Sequence, residues 1–262
     1  MGTLAEDLQF VKSLAIEAAA VALDRAGGVT PEEKANLSYV TDLDRDLEQL
    51  IRRRLGAEFP DDALTGEEYA ESGGGGPRRW SIDPIDGTGN LVHGLPLWAI
   101  SIGLLDHGEP VLGVIAIPPL NELYWATKGG GAWRDGERLA VGDADAFHDQ
   151  DNLGLGTNAM RAVDLGTVPG RLRDLGSACC ELAFVASGRL ASHCFLGEQA
   201  HDVAAGTVLV AEAGCRFATI DGEFLSPAEM VARTPVVVPT FVGPPRRLKA
   251  LVGRARRLAR SR

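Results

Sequence analysis

The chain has 262 residues, 26 basic and 36 acidic side chains, and a formal net charge of −10. That balance speaks against an extended nucleic-acid footprint. An apolar fraction of 45% is that of a soluble globular protein, long enough for one large domain or two of ordinary size.

Leu4, Leu8, Val11, Leu14, Ala15, Ala18, Val21 and Ala22 recur at helical spacing and predict an amphipathic helix of about five turns, ended by Gly27-Gly28. Acidic residues interrupt its apolar side, so neither a signal segment nor a membrane span is expected, and the expected location is the cytoplasm. Residues 30–33 read as a turn or helix start. A second helix is expected from Thr41-Asp42, with Leu43, Leu47, Leu50, Ile51 and Leu55 on its apolar face. Taken alone, Asp42 suits the positive end of that helix, and Glu67-Glu68 suits a solvated strand edge. Residues 72–77, with four glycines, read as a mobile loop.

Strand patterns cover residues 97–105, 111–117 and 122–126, then a hairpin near Asp135-Gly136, together an antiparallel meander. A boundary in the polar stretch 142–151 divides the chain into an N-terminal α+β domain, 1–141, and a C-terminal α/β domain, 142–262. The second half alternates: strands at 152–156, 171–175, 191–195, 216–220 and 236–238, helices at 177–186 and 202–212. A basic amphipathic helix running to Leu258 closes it, read as a packed helix with a solvated basic face. Cys179, Cys180, Cys194 and Cys215 lack C-x-x-C spacing and read as packed thiols.

The chemistry gathers at Trp80-Ser81-Ile82-Asp83-Pro84-Ile85-Asp86-Gly87-Thr88-Gly89-Asn90. An apolar strand runs into Asp83, Pro84 ends regular pairing, and Gly-Thr-Gly marks a tight turn after Asp86. Two carboxylates thus leave a rigid turn beside the N–H groups of Gly87 and Thr88, which can hold phosphate oxygens. With Glu67 and Asp202 the acids carry a charge of −4, one for each of the four residues, and a phosphate monoester would be repelled. Two divalent cations reverse that sign. An all-oxygen site suits Mg²⁺ or Mn²⁺ and disfavours zinc. Two such ions about 3.5–4 Å apart can clamp both ends of an in-line displacement, one activating water and the other stabilising the leaving alkoxide. No Ser or Cys with a His partner suggests a covalent intermediate.

Gly66-Glu67-Glu68, the stretch 80–90 with Val92-His93-Gly94-Leu95-Pro96, and Asp202-Val203-Ala204-Ala205-Gly206 with Glu212-Ala213-Gly214 together resemble the inositol monophosphatase family, within the lithium-sensitive, Mg²⁺-dependent phosphatases that include fructose-1,6-bisphosphatases. The resemblance spans nearly the whole chain in order. It implies a five-layer α-β-α-β-α sandwich, a homodimer, two or three Mg²⁺ per site with Mn²⁺ possible, and a small phosphorylated metabolite as partner. It implies metal ligation by Glu67, Asp83, the Ile85 carbonyl, Asp86 and Asp202. Catalytic roles fall to Glu67, to Thr88 at the water, and to Asp42, which with Thr41 matches the family position that supports Thr88 or a further metal. Glu68 stands behind Glu67. Substrate contacts fall to Asp86, Gly87, Thr88, Ser177, Glu198 and Asp202, and to the position of Phe195.

The departures bear on substrate choice. His201 stands where the family often has Trp. Phe195 stands where inositol-selective members place an acid, and Ala191 replaces a second one. An apolar ring accepts no sugar hydroxyl, which disfavours inositol. Glu198 and His193 are the polar groups on the same wall. Residues 157–170 are short for the helix expected there, and Cys215 replaces a glycine. The reading is a Mg²⁺-dependent phosphomonoesterase for a small phosphorylated polyol or sugar. Histidinol phosphate and fructose 1,6-bisphosphate are the alternatives, with a 3′-phosphonucleotide below them. The non-enzyme alternative is a regulatory binding protein on a residual phosphatase fold.

Overall fold

A computed structural model of the chain describes residues 3–34, 39–142, 147–166 and 168–258. Of the expected boundary stretch, residues 143–146 lie outside the described residues.

Helix α1 (Leu4–Arg25) starts on a capping box, with the Glu6 N–H donating to Thr3 Oγ1 and the Thr3 N–H donating to the Glu6 carboxylate. Its face Val11, Leu14, Ala15, Ala18 and Ala22 is buried, as the spacing predicts. Residues 30–33 do not start a helix. Strand β1 (Pro31–Glu33) pairs antiparallel with β2 (Tyr39–Thr41), a ribbon leading into α2 (Asp42–Glu58).

An eight-stranded sheet follows: β3 (Ala63–Gly66), β4 (Ser72–Gly73), β5 (Arg78–Asp86), β6 (Ala99–Asp106), β7 (Glu109–Ile117), β8 (Glu122–Thr127), β9 (Gly131–Arg134) and β10 (Glu137–Leu139). Its spatial order is β10-β9-β8-β7-β6-β5-β3-β4, antiparallel except for β3 beside β5. The short helix α3 (Thr88–Val92) leaves the end of β5.

The remaining strands are β11 (Asn152–Leu155), β12 (Val163–Asp164), β13 (Arg171–Arg173), β14 (Ser192–Phe195), β15 (Arg216–Thr219), β16 (Phe224–Leu225), β17 (Thr240–Gly243) and β18 (Arg256–Arg257). Six form a second sheet, β13-β11-β14-β17-β15-β16, and β12 pairs with β18. The helices are α4 (Thr157–Met160), α5 (Ala178–Ala186), α6 (Ala200–Glu212), α7 (Pro227–Ala232) and α8 (Pro245–Arg254). Residues 236–238 are not a strand. Pro235 and Pro239 bracket them, and Val236 instead bonds Gly197 and Glu198 backbone groups at 2.8 and 2.9 Å. The last helix stops at Arg254 rather than Leu258, because Ala255 is extended and the chain turns into β18.

Three apolar cores fill the spaces between five layers, the middle one lying on both sides of α5 and α6. Helices α1 and α2 cover one face of the eight-stranded sheet, α5 and α6 lie between the sheets, and α8 covers the far face of the second sheet. The architecture is the α-β-α-β-α sandwich. Period-two alternation on β5 sends Trp80 and Ile82 into the α1–α2 core, which leaves Ser81 and Asp83 facing α6. Gly103 and Gly113 are cross-strand partners under that helix. A Cβ on Gly113 would stand 2.2 Å from the Ala205 carbonyl oxygen, and one on Gly103 2.9 Å from Ala205 N. The α6 backbone therefore rests directly on the sheet, which carries its N-terminal turn to the end of β5. No helix among the described residues is long and apolar enough to cross a membrane.

Candidate active site

The ladder between β5 and β6 is regular to the Asp83–Ser101 pair and resumes only at Asp86–Ala99. This bulge around Pro84 brings Asp83 and Asp86 to one side of the strand end. Gly87 follows at φ +91°, a conformation a side chain resists, with Leu97 O, Ser177 Cβ and Gly176 O within 3.2 Å of where a Cβ would lie. A cavity of about 330 Å³ opens here, lined by Glu67, Asp83, Asp86, Thr88, Asp202 and Tyr39 among others. The structure thus brings together five of the residues singled out in the sequence, and Ile85 and Gly87 share the same wall.

Each acid is held in place. Asp86 Oδ2 accepts from Ser177 Oγ at 2.5 Å and from the Cys179 N–H at 2.6 Å. Asp202, third residue of α6, accepts from the Gln199 N–H at 2.6 Å in a capping box. Glu67 and Glu68 are both bonded by Lys34 Nζ, at 2.8 and 2.7 Å. Behind them, the fully buried Glu48 accepts from the Glu68 and Tyr69 N–H groups and from Arg52 Nε, and Arg52 also donates to Tyr69 O. Glu48 and Arg52 lie on α2, so this helix clasps the turn carrying Glu67. Nothing in the isolated sequence marked them, because i, i+4 Glu–Arg pairs are common on exposed helices.

Asp42 does not reach the site. Its carboxylate is 60% exposed and pairs with Arg25 at 2.8 Å. The supporting acid is Asp44. Its Oδ1 accepts from Thr88 Oγ1 at 2.8 Å, and its Oδ2 accepts from the Thr41 N–H at 2.9 Å and also contacts the Thr41 hydroxyl. The physical reason is helical phase: two residues apart on a helix is about 200°, so one acid faces in when the other faces out. The legible signal was Thr41-x-x-Asp44, a capping box whose third residue points back at its own N-cap.

On the substrate side, Ser177 is 2% exposed and sits behind Asp86 as the N-cap of α5, not in the cavity. Phe195 is also displaced from its expected role: its ring is fully buried in the core between the sheets, 4.2 Å from the His193 ring. Alternation along β14 turns both rings inward, away from the cavity, which is lined by neither of them. His193 is fully buried beside Glu181, Nε2 to Oε2 3.1 Å. Burial pushes His193 down to about 3 and Glu181 up, disfavouring the charged form of each. Glu198 is pushed up to about 7 by burial, with the nearby charges of Asp202 and Asp86 acting in the same sense.

The cluster is poised for positive charge. Burial first, then mutual repulsion, pushes Asp83 well above the usual carboxylate range and Asp86 up to about 6; burial also raises Glu67, Asp202 and Asp44. Asp83 is 1% exposed and its Oδ1 has no hydrogen-bond partner among the described residues. An acceptor-only oxygen buried without a donor fits a cation. Two sets of ligand atoms lie within 4.8 Å of one another, Asp83 with Asp86 and Asp202, and Asp83 with Glu67 and His201. The residues present therefore fit divalent metal ions.

The same order of motifs is matched over residues 3–259 by the profile of the inositol monophosphatase family. The chain belongs to that family. It is 31% identical over 244 residues to a fructose-1,6-bisphosphatase/inositol-1-monophosphatase of Aquifex aeolicus, covering 88% of this chain and 92% of the relative. It is 34% identical over 236 residues to a histidinol-phosphatase of Mycobacterium tuberculosis, covering 83% and 88%. The solved structure of an IMPase from Thermotoga maritima superposes with a TM-score of 0.82 at 28% identity, covering 95% of this chain and 96% of that one. As a member of the inositol monophosphatase family the protein is a phosphoric monoester hydrolase.

Proposed function

We propose that this phosphatase hydrolyses the monoester of a small phosphorylated polyol or sugar, using Mg²⁺ held by the acidic cluster and water as the attacking group. One observation carries the reading: Asp86 and Asp202 each have one oxygen fixed by protein donors, beside a buried Asp83 oxygen that has none. Glu67, Asp83, the Ile85 carbonyl, Asp86 and Asp202 would hold two or three Mg²⁺, or Mn²⁺. Bound cations supply the positive charge that offsets the repulsion of phosphate and lowers the pKa of water.

The protein's own groups do the rest. The Thr88 hydroxyl donates toward Asp44 Oδ1 at 2.8 Å, with the Ile85 carbonyl at 2.9 Å as its other acceptor, so Thr88 Oγ1 turns a lone pair toward water. Glu67, at the cavity edge, orients the same water from the other side and takes up its proton. The Gly87 and Thr88 N–H groups receive phosphate oxygens. The water oxygen bonds to phosphorus, the ester P–O bond breaks with its electron pair going to the leaving oxygen, and that oxygen takes a proton from solvent water to depart as the alcohol.

A second reading has one observation in its favour. Glu198 Oε2 is buried without a partner among the described residues, and a leaving group bearing an ammonium would supply the missing donor. Histidinol phosphate has that character, and the M. tuberculosis relative named above is called a histidinol-phosphatase. Phosphate release from inositol 1-phosphate, fructose 1,6-bisphosphate and histidinol phosphate, with and without Mg²⁺, tests both. Mg²⁺-dependent release is expected. Turnover confined to histidinol phosphate, lost in Glu198→Gln, selects the second reading, and no release from any compound by folded, metal-loaded protein overturns both. The reading includes a cytoplasmic homodimer, which light scattering in solution tests.

A further inference from the structure

The two sets of ligand atoms differ in chemistry. Asp83, Asp86 and Asp202 offer oxygen alone; Asp83, Glu67 and His201 add an imidazole nitrogen. His201 is the second residue of α6, next to Asp202, and its side chain is 19% exposed. Its Nε2 lies 3.3 Å from Asp202 Oδ1, so the ring is turned toward the acids. The contact of the α6 backbone at Ala204 and Ala205 with Gly103 and Gly113 fixes the position of the helix that carries the ring. An indole at this place could only donate a hydrogen bond, whereas a neutral imidazole presents a lone pair to a cation. The second observation is independent of His201: the Asp83 carboxyl common to both sets has a buried oxygen without a donor.

We propose that His201 is a metal ligand, and that the two cation positions sharing Asp83 are chemically unequal. The Glu67–Asp83–His201 position takes a borderline divalent ion of the Mn²⁺-to-Zn²⁺ class. The Asp83–Asp86–Asp202 position takes Mg²⁺. Mg²⁺ favours oxygen ligands and retains its waters, while imidazole suits the later first-row ions. This rests on the reading that the acidic cluster holds divalent cations, and it alters the all-oxygen site expected from the sequence.

The test reads the metal's ligands rather than turnover. Mn²⁺ is added at one equivalent to the metal-free protein, and electron spin-echo modulation is recorded on natural-abundance and ¹⁵N-labelled material. Coupling to a directly bound nitrogen is expected, absent in His201→Phe. Titration calorimetry should show Mn²⁺ and Zn²⁺ binding weakened roughly tenfold or more by that substitution, with Mg²⁺ binding changed far less. If His201→Phe does not fold, the wild-type spectrum alone decides. Mn²⁺ bound with oxygen ligands only overturns the role of His201 and leaves the phosphatase reading standing. Failure to bind any divalent ion overturns both.

Discussion

Two aspartates two positions apart give the sharpest contrast at the scale of single residues. Asp44→Asn removes the charged acceptor that orients Thr88, and kcat for phosphate release should fall about a hundredfold. Asp42→Asn breaks only an exposed pair with Arg25 and should leave kcat within about twofold. Equal effects of the two would contradict the orientation seen. The metal-facing acids were legible in the sequence because their spacing around Pro84 and Gly87 has few other uses. Asp44 was not, since choosing between two acids at one helix start needs the helix's rotation, which depends on what packs against it. Phe195 differs for a related reason: matching it to an acid of inositol-selective members fixes a position along the chain, not which side of a strand it faces.

At the scale of elements, helices and meander strands lay close to where periodicity put them, because both follow from local apolar spacing. The ribbon β1–β2 and the strand β17 did not: the first is three residues a side, too short to show alternation, and the second depends on partners distant in sequence and follows Pro239. The glutamate-bearing turn after β3 is held by α2 through Glu48, whose Oε1 lies 2.2 Å from where a Cβ on Gly66 would stand. Gly66→Ala should therefore displace Glu48 and loosen Glu67, lowering Mg²⁺ affinity by about 10–100-fold while helical circular dichroism is retained. Unchanged affinity would mean the clasp does not set the position of Glu67. Gly113→Ala presses a methyl into the Ala205 carbonyl and should lose about 1–3 kcal/mol in urea unfolding, together with metal affinity.

For the whole molecule, the raised carboxyls tie stability to pH and to metal. Asp86 and Glu198 have folded pKa values near 6 and 7, above their ordinary values, so the folded state holds protons that the unfolded chain releases. Their contribution is complete below the unfolded pKa and is lost as pH rises through the folded one. His193, depressed to about 3, acts oppositely, losing stability as pH falls below 6.5. His201 is depressed in the same sense, but Asp83 and Glu181 are raised further than Asp86, so between pH 8 and 7, where unfolded histidine is still mostly neutral, the acids outweigh the histidines and the metal-free protein should melt at a higher temperature at 7 than at 8. Saturating Mg²⁺ should flatten that slope and, at about 100 times its Kd, add about 2.7 kcal/mol. A metal-free melting temperature that rises with pH over this window would contradict the assignment.

The seat of α6 on Gly103 and Gly113 has a consequence for ion size. Asp83 comes from the sheet and Asp202 from the helix, and what sets their separation is main chain pressed on main chain, with no side chain between to change rotamer. The seat therefore works as a ruler. Ca²⁺, with oxygen distances of about 2.3–2.6 Å against about 2.0–2.1 Å for Mg²⁺, has to be accommodated by turning the Asp83 and Asp202 carboxylates, because the main chain that carries them has little room to part.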